Sequence, residues 1–465
     1  MATPFSASQE ALFSMGNSVG QWAQKRFAGG KDATPAYFYD FGPSIQKTQQ
    51  WINAGEKVIY EAAFIAEEVL AALDLYIQKA GKRIALEVKS STGLKDYHLE
   101  DAALQYWIMK HAGYAPDEFY LMHINNNYVR EGEIDPKKLF TYVDITEKVK
   151  AKQEGIAEDI KTMKAVLLQA EIPEKVIGPQ CNSPFECEFK AHCWQNIPEN
   201  SVFELSRIGK KAWECLDEGI LKIKDITAPE AFSERQQVEI AAVQDGKSRI
   251  EKEAIQSFLT EWEYPLYFFD FESINPALPV YQGTSPFQQI PVQYSLHVLQ
   301  QPGAELKHLE FLADFTKDPR EALIQQMLLE LGNKGSIVTY NMSFEKNIID
   351  RLAEDFPNYS AELTALSERL VDLLIPFRNS WYYTHEMQGS ASIKAVLPAL
   401  CQNDKELSYK SLSIGNGSDA SIILLALAEG RVKTKNQESI RQDLLAYCQL
   451  DTLAMVKIWE VLREV

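Results

Sequence analysis

Short apolar runs bounded by polar or turn-forming residues recur along this chain, and they predict buried strands that alternate with helices. Two such runs lie in the first half, at residues 69–77 and 84–89, and two more lie in the second half, at residues 267–273 and 337–340. Apolar residues at helical spacing mark residues 446–454 as part of a helix. The pattern predicts an α/β protein, and a length of 465 residues favours two or three domains.

The apolar run at residues 267–273 carries two acids, Asp270 and Glu272. Side chains at positions i and i+2 point to the same face of a strand, so these carboxylates are expected side by side. Two desolvated like charges need a compensating cation. Mg²⁺ and Mn²⁺ prefer hard oxygen ligands, and one of them is the predicted occupant; an alternative is a strand whose acids face solvent.

Two later segments carry further chemistry. Asn341 and Glu345 follow the apolar run at residues 337–340 and open a helical stretch. Tyr447 and Asp451 are four residues apart in the last predicted helix, so they share one helix face.

In this order of motifs the last 200 residues or so resemble the DnaQ-like 3′–5′ exonucleases of the RNase H-like fold, in their tyrosine-bearing (DEDDy) branch. The resemblance implies four carboxylate ligands for two metal ions: Asp270, Glu272, Glu345 and Asp451. It also implies that Tyr447 orients the attacking water. Glu345 departs from the family pattern, which usually has aspartate there, and Asp372 is the alternative ligand.

Residues 389–394 place small hydroxylated residues before a lysine at a predicted helix start. Such an N-terminus can receive a phosphate, and ordinary capping by Ser390 or Ser392 is the alternative. We therefore expect Ser392, Lys394 and Asn341 to contact substrate.

The first half contains a separate group of charged residues. Asp74 lies on one predicted strand, and Glu87 and Lys89 share one face of the next. Two acids can bind metal, and a lysine can position water or stabilise a pentavalent phosphorane; a solvent-facing charged hairpin is the alternative. With Glu61 upstream and Gln105 on a helix downstream, this order resembles the RecB-like branch of the PD-(D/E)XK nucleases. The resemblance implies metal binding by Glu61, Asp74 and Glu87, with Lys89 and Gln105 as catalytic residues.

The chain has six cysteines, and three of them recur at a regular interval: Cys181, Cys187 and Cys193. Such spacing in a loop suggests thiolate ligation of a cluster, and it resembles the iron–sulfur segment of RecB-like nucleases. That family takes a fourth cysteine from the start of the domain, whereas no cysteine precedes Cys181 here. Cys215 or His192 could substitute in a [4Fe-4S] site, a Cys₃His set would suit zinc, and three unrelated thiols are the alternative.

Together the two halves resemble a bacterial family of fusions between a RecB-like iron–sulfur nuclease and a DnaQ-like domain. The resemblance implies a PD-(D/E)XK restriction-endonuclease-like domain at residues 1–200, a helical connector at 201–260, and an RNase H-like mixed-sheet domain at 261–465.

The net charge of −18 opposes a simple nucleic-acid-binding surface, because non-specific DNA binders usually carry a basic face. Bound cations can reverse the electrostatic field at an acidic site, so a negative net charge is compatible with a metal-dependent nuclease. The acidity favours DNA or RNA substrates that are single-stranded or have free ends. We therefore expect a metal-dependent nuclease; a nucleic-acid-binding scaffold with vestigial sites and an RNA-processing exonuclease are the alternatives. No signal peptide is recognisable at the N-terminus and the cysteines suggest metal binding rather than pairing, so a cytoplasmic location is expected.

Overall fold

The computed structural model describes residues 4–401, 407, 409 and 412–465, and it has an α/β architecture with mixed sheets. The chain divides into two compact units. The N-terminal unit comprises residues 4–176 together with residues 276–288, and the C-terminal unit comprises residues 177–275 and 289–465. The chain therefore leaves the C-terminal unit after residue 275 and returns to it at residue 289.

The N-terminal unit is built on one mixed sheet in which the strands follow their order along the chain. Its strands are β1 (Lys31–Asp32), β2 (Val58–Ala66), β3 (Val69–Lys79), β4 (Lys82–Lys89), β5 (Glu118–Ile124) and β6 (Phe140–Asp144). The β1–β2 and β4–β5 pairs are parallel and the others are antiparallel. Ala80 and Gly81, both with positive φ, form the tight turn between β3 and β4.

Helices cover both faces of this sheet and enclose two apolar clusters. They are α1 (Ala7–Arg26), α2 (Gly42–Asn53), α3 (Asp96–His111), α4 (Pro136–Leu139), α5 (Thr146–Ala151) and α6 (Ile156–Leu167). A capping box in which Ser6 and Gln9 bond each other's backbone amides begins α1. Ala277 belongs to the same cluster as Val19 and Leu75, so residues 276–288 contribute to this unit's core.

The C-terminal unit has a mixed sheet with strand order β10-β9-β8-β11-β12 and a separate two-stranded ribbon of β7 and β13. The strands are β7 (Arg249–Ile250), β8 (Leu266–Ile274), β9 (Ile290–Leu299), β10 (Lys307–Leu312), β11 (Ser336–Thr339), β12 (Leu370–Asp372) and β13 (Tyr382–Tyr383). β9 runs antiparallel to β8, whereas β11 is parallel to both β8 and β12.

Helices pack on both faces of this sheet. The described helices of this unit are α7 (Lys190–Cys193), α8 (Lys210–Asp217), α9 (Glu234–Asp245), α10 (Lys252–Thr260), α11 (Arg320–Leu331), α12 (Ser343–Asp355), α13 (Ser360–Ser367), α14 (Ile375–Arg378), α15 (Ile393–Leu400), α16 (Gly417–Ala428) and α17 (Thr434–Arg463). Phe268 packs with Trp459 of α17, whereas Phe269 and Phe271 pack with Ile348 of α12 on the opposite face. Alternation along β8 therefore turns its even-numbered side chains towards α17.

The division of the chain differs from the predicted domains. The cysteine segment after residue 177 belongs to the C-terminal unit rather than to a domain at residues 1–200. Residues 201–260 are not a bare connector, because Val202, Cys215 and Ile240 share an apolar cluster. No helix in the described part of the chain is long and apolar enough to cross a membrane.

Candidate functional site

The central strand β8 carries two neighbouring acids of the C-terminal unit. Asp270 pairs in register with Ser295 of β9, and Glu272 pairs with Gln293. Both carboxylates lie on the face that packs against α17, as the i, i+2 spacing requires. β8 lies between two other strands, so its backbone is hydrogen-bonded on both sides, and on the face towards α17 Glu272 is buried whereas Asp270 is half-buried.

Helix α17 places Asp451 against these acids. One carboxylate oxygen from each of Asp270, Glu272 and Asp451 can be chosen so that all three lie within 4.8 Å of one another. Among the described residues, no other group of three or more His, Cys, Asp or Glu side chains meets this limit. The structure thus brings together residues that lie about 180 positions apart in the sequence.

Buried hydrogen bonds fix α17 on β9 beside this cluster. The hydroxyl of Thr452 lies 2.7 Å from Ser295 Oγ and 2.8 Å from His297 Nδ1. About two helical turns before Thr452, the side-chain amide of Gln293 donates to the carbonyl oxygen of Leu444 at 2.8 Å. Because Thr452 follows Asp451 directly, these bonds set the height of Asp451 above the sheet.

The three carboxyls resist ionisation. Burial, and then the neighbouring carboxylates led by Asp451, hold the pKa of Asp270 well above its usual range. Burial and Asp451 likewise raise the pKa of Glu272 to about 8. Burial raises the pKa of Asp451 to about 6, although the hydroxyls of Tyr409 and Tyr447 and the Lys394 ammonium oppose the rise. A cluster with these properties favours binding of a proton or a metal cation.

Two tyrosines and a lysine border the cluster. Tyr409 Oη donates to Asp451 Oδ1 at 2.5 Å, and the Tyr447 hydroxyl also bonds to Asp451. Lys394 Nζ lies 3.3 Å from Tyr447 Oη and donates to the carbonyl oxygen of Gly415 at 2.8 Å. Burial lowers the pKa of Lys394, and burial with the Asp451 charge raises that of Tyr447, so the phenol stays neutral.

Glu345 lies close enough to influence the cluster but is outside the group of three. Its side chain is 1% exposed, and its Oε2 has no hydrogen-bond partner among the described residues. Burial raises its pKa to about 8. An unpartnered buried carboxylate oxygen is costly unless a cation or proton meets it, so Glu345 remains a candidate ligand.

Asp372, the alternative ligand, has a structural role instead. Its Oδ1 accepts hydrogen bonds from the backbone N–H groups of Asn341 and Leu374, both at 3.0 Å. Its Oδ2 accepts from the Arg378 guanidinium at 3.1 Å. These partners hold the turn after β11 in place and leave little capacity for a metal ion.

Of the predicted substrate-contacting residues, Asn341 lies just before α12, Ser392 is at the start of α15, and Lys394 is in the first turn of α15. Asn341 has a φ of 78° and its side-chain oxygen accepts from Ser343 Oγ. Ser392 is the N-cap of α15, yet its side chain makes no capping hydrogen bond. Lys394 points to Tyr447 rather than to open solvent.

The N-terminal unit brings three acids together across β2, β3 and β4. The residues that flank Glu61 in β2 pair with the residues that flank Asp74 in β3, but Glu61 and Asp74 themselves are not paired. Glu61 has a φ of 52°. Asp74 Oδ2 accepts from the Val88 N–H at 2.6 Å. Burial and the neighbouring carboxylates raise the pKa values of Glu61 and Asp74 to about 7 and that of Glu87 to about 8. Glu61 lies within β2.

Lys89 links this group to helix α3. Its ammonium donates to Glu87 Oε1 at 2.8 Å and to Asp101 Oδ2 at 2.7 Å. Burial lowers the pKa of Lys89, but the Glu87 and Asp101 carboxylates outweigh burial and raise it overall. Gln105 donates weakly to Asp101 at 3.4 Å, and its Oε1 is buried without a partner among the described residues.

The thiols of Cys181, Cys187 and Cys193 do not form a group within 4.8 Å of one another in the described chain. A zinc site needs sulfur atoms ~3.8 Å apart, and zinc binding by these residues stays a prediction. A [4Fe-4S] cluster holds its thiolates farther apart and stays a prediction. Cys215 is buried in an apolar cluster and burial raises its pKa, so it is a poor fourth ligand; His192 is exposed.

Sequence reasoning missed Tyr409, Cys448 and Asp101. The Cys448 thiol lies 3.9 Å from Asp270 Oδ2. The available signal was helical spacing: Cys448 and Asp451 are three residues apart, and residues at that distance lie on the same side of a helix. Asp101 lies four residues before Gln105, so helical spacing could have indicated it.

The chain is similar to a domain family of unknown function and to uncharacterised proteins of mycoplasmas and a ureaplasma. Residues 267–392 match a family described as Domain of unknown function (DUF2779), a span that contains Asp270, Glu272 and Glu345. The chain is 27% identical over 212 residues to Uncharacterized protein UU173 of Ureaplasma parvum and 29% identical over 207 residues to Uncharacterized protein MG366 homolog of Mycoplasma pneumoniae. Each match covers 41% of this chain but only 30% and 31% of those relatives, so the chain spans less than a third of their length.

Proposed function

We propose that this protein is a metal-dependent nuclease whose C-terminal unit hydrolyses phosphodiester bonds from the 3′ end of a strand. The observation that carries the proposal is the convergence of Asp270, Glu272 and Asp451 within 4.8 Å, beside the hydroxyl of Tyr447. The mixed sheet, with helices on both faces, supports a DnaQ-type, RNase H-like domain.

The residues present fit a divalent cation. The three ligand oxygens are hard donors, and the raised pKa values reflect negative charge that no protein cation fully compensates. Glu345, with its unpartnered Oε2, offers a further ligand. When bound, Mg²⁺ or Mn²⁺ supplies activation of water and stabilisation of the leaving oxygen.

The chain's own side chains bind, orient and balance charge. Tyr447 remains protonated and can hold a water molecule by its hydroxyl while bonding to Asp451. Lys394 places a positive charge beside Tyr447, where it can stabilise a phosphate group drawn to the site. Tyr409 holds one oxygen of Asp451 and so fixes the direction of the other.

A second, RecB-like nuclease site in the N-terminal unit is proposed on a separate observation. Glu87 is buried and Asp74 is half-buried, the Asp74 charge contributes to the raised pKa of Glu87, and Lys89 donates to Glu87. This combination of two acids and a lysine suits metal-assisted hydrolysis of a phosphodiester. The backbone strain at Glu61, a non-glycine residue with positive φ, is common at functional sites.

The charge of the chain bears on the substrate. A net charge of −18 disfavours extended contact with duplex phosphates, since tight non-specific binding rests on basic residues. A single-stranded end needs fewer phosphate contacts. We therefore propose single-stranded DNA or RNA, or strands with free 3′ ends, as the substrate class.

The test uses 5′-labelled single-stranded DNA, single-stranded RNA and 3′-recessed duplex DNA with Mg²⁺ or Mn²⁺. To isolate the C-terminal site, every protein carries Asp74→Asn. This background should shorten strands from the 3′ end, Asp270→Asn should abolish shortening, and Tyr447→Phe should reduce its rate on the order of 10²-fold. Glu253→Gln removes an exposed acid of the same unit and is the matched control.

Full activity in the Asp270→Asn variant would contradict the assignment of this site. Strand binding without any cleavage, under all metal conditions, would instead favour the alternative function of a nucleic-acid-binding scaffold. Shortening of RNA but not DNA would favour an RNA-processing exonuclease that uses the same residues.

A further inference from the structure

A cavity of about 790 Å³ opens in the C-terminal unit beside the first turn of α15. Small-molecule sites commonly have volumes of ~300–1,000 Å³, so a nucleotide-sized ligand fits. One wall comes from residues 203–207 and Arg235, which precede the sheet in sequence, and the other comes from the loops after β11 and before α15. The cavity therefore joins the segment at residues 201–260 to the loop that carries Ser392.

Buried hydrogen bonds hold the first wall. Glu239 is 1% exposed, and its carboxylate accepts from the Ser206 N–H at 2.8 Å and from Arg235 Nε at 3.0 Å. Gln236 donates from its side chain to the carbonyl oxygen of Ser206 at 2.8 Å. Both backbone polar groups of Ser206 are thereby satisfied, and the Arg235 guanidinium is fixed in direction.

Gly389 joins the two walls. It has a φ of 69°, and a Cβ at this position would overlap the carbonyl oxygen of Glu204. Its own N–H donates to Tyr383 Oη at 3.1 Å, and its carbonyl oxygen accepts from Arg235 at 3.4 Å. The close approach that only glycine permits sets the cavity's shape.

The lining offers hydrogen-bond donors that the protein does not use. Arg207 is exposed and its guanidinium makes no hydrogen bond or ion pair with any described residue. Arg378 is partly exposed and reaches Asp372 through one nitrogen. The hydroxyl of Ser206 is buried without a partner in the described chain. Ser392 leaves the first amides of α15 without a side-chain cap, and such amides favour anions.

One acid modifies this picture. Glu204 Oε2 is buried and has no partner among the described residues, and burial raises the pKa of its carboxyl. A small inorganic anion would leave that oxygen unsatisfied. A ligand that carries hydroxyl or amino groups together with a phosphate would satisfy both Glu204 and the arginines.

We propose that this cavity binds a nucleoside monophosphate unit, with its phosphate near Arg207 and its sugar or base near Glu204. The first turn of α15 continues to Lys394, which lies 3.3 Å from Tyr447 Oη, so the cavity and the carboxylate cluster share one structural element. The unit is either a free mononucleotide or one nucleotide of a bound strand, and in the second case the inference rests on the proposed function.

The test measures binding in EDTA, without cleavage, by calorimetry and by fluorescence anisotropy. The probes are dAMP, AMP, inorganic phosphate and a short labelled single-stranded DNA. Arg207→Glu should weaken binding about tenfold or more, because it removes a charge-assisted contact and adds repulsion. Lys435→Glu makes the same change of charge at an exposed lysine on α17 and should leave binding unchanged.

Weakening of dAMP binding by Arg207→Glu identifies a mononucleotide site, whereas weakening of strand binding alone identifies a subsite for the strand; either result supports the proposal. Equal binding in the Arg207→Glu and unsubstituted proteins would overturn it, as would phosphate binding as tightly as dAMP. Cleavage is measured separately. If the strand binds in an Arg207-dependent manner but is not cleaved, the nuclease function is refuted and the cavity remains a nucleotide site. If the strand is cleaved but its binding does not depend on Arg207, the nuclease function stands and the cavity proposal is refuted.

Discussion

Replacing Glu272 by glutamine tests whether the carboxylate cluster is destabilising in the absence of metal. Burial and the Asp451 charge raise the pKa of Glu272 to about 8, from an ordinary value of 4.5. Each pKa unit corresponds to about 1.4 kcal/mol, so ionising this group in the folded protein costs at most about 5 kcal/mol. Relaxation and water entry reduce such penalties, and we expect Glu272→Gln to raise the metal-free free energy of unfolding by about 2 kcal/mol at pH 9.

The sign of the pH dependence follows from the raised pKa. Stability from this group is fully present below about pH 4.5, where both states are protonated, and is lost as pH rises through about 8. The Glu272→Gln advantage should therefore be large at pH 9 and small at pH 5. Added Mn²⁺ should stabilise the unsubstituted protein more than the variant, because the cation replaces the missing positive charge.

The assay is unfolding in urea, monitored by hydrogen-exchange mass spectrometry of peptides from β8 and α17. These peptides report on the C-terminal unit alone. A gain of about 2 kcal/mol would move the midpoint by roughly 0.5–1 M urea. Glu253→Gln, which removes an exposed acid, should cause no such shift. The reasoning would be refuted if Glu272→Gln were no more stable than the unsubstituted protein at pH 9. It would also be refuted if Mn²⁺ stabilised the variant and the unsubstituted protein equally.

Two further predictions concern the cavity and the N-terminal site. Gly389→Ala should lower the free energy of unfolding in urea by more than about 2 kcal/mol, because the new Cβ overlaps the backbone and the residue has a positive φ. Gly332→Ala is the control: this residue also has a positive φ, but the nearest atom to a new Cβ is 3.7 Å away, so the loss should be about 1 kcal/mol. Equal losses in the two variants would argue against the close approach at Gly389. Any cleavage that survives in an Asp270→Asn variant should disappear on adding Asp74→Asn, as followed with end-labelled DNA, and an undiminished rate in the double variant would show that the N-terminal acids are not a nuclease site.

Local patterns were sufficient to predict the elements that carry the site. The strand around Asp270 and Glu272 and the helix around Tyr447 and Asp451 are present, because period-2 and period-3.6 spacing are properties of short segments. Their meeting across the sheet could not be obtained from spacing. It was expected only through the ordered resemblance to a nuclease family, and the family roles themselves stay predictions.

Features that depend on the tertiary fold were beyond the sequence. Asp372 resembles a ligand in its local context, and only the folded chain brings Arg378 and two amides to it. Tyr409 lies far from Asp451 along the chain, and nothing in its neighbours indicates that its hydroxyl bonds to that acid. The cysteine segment lies in the C-terminal unit, whereas the sequence grouped it with residues 1–200, because cysteine spacing indicates chemistry and contains no information on which core the cysteines join.

The segment at residues 276–288 imposes an order of events on the newly made protein. It follows β8 and precedes β9, yet Ala277 belongs to the core that also contains Val19 and Leu75. Synthesis proceeds from the N-terminus, and domains generally fold as they emerge. Here the first unit cannot complete its core until residue 288 has left the ribosome, by which time the strand bearing Asp270 and Glu272 has been made. A fragment ending at residue 176 or 200 would therefore lack part of its own interior.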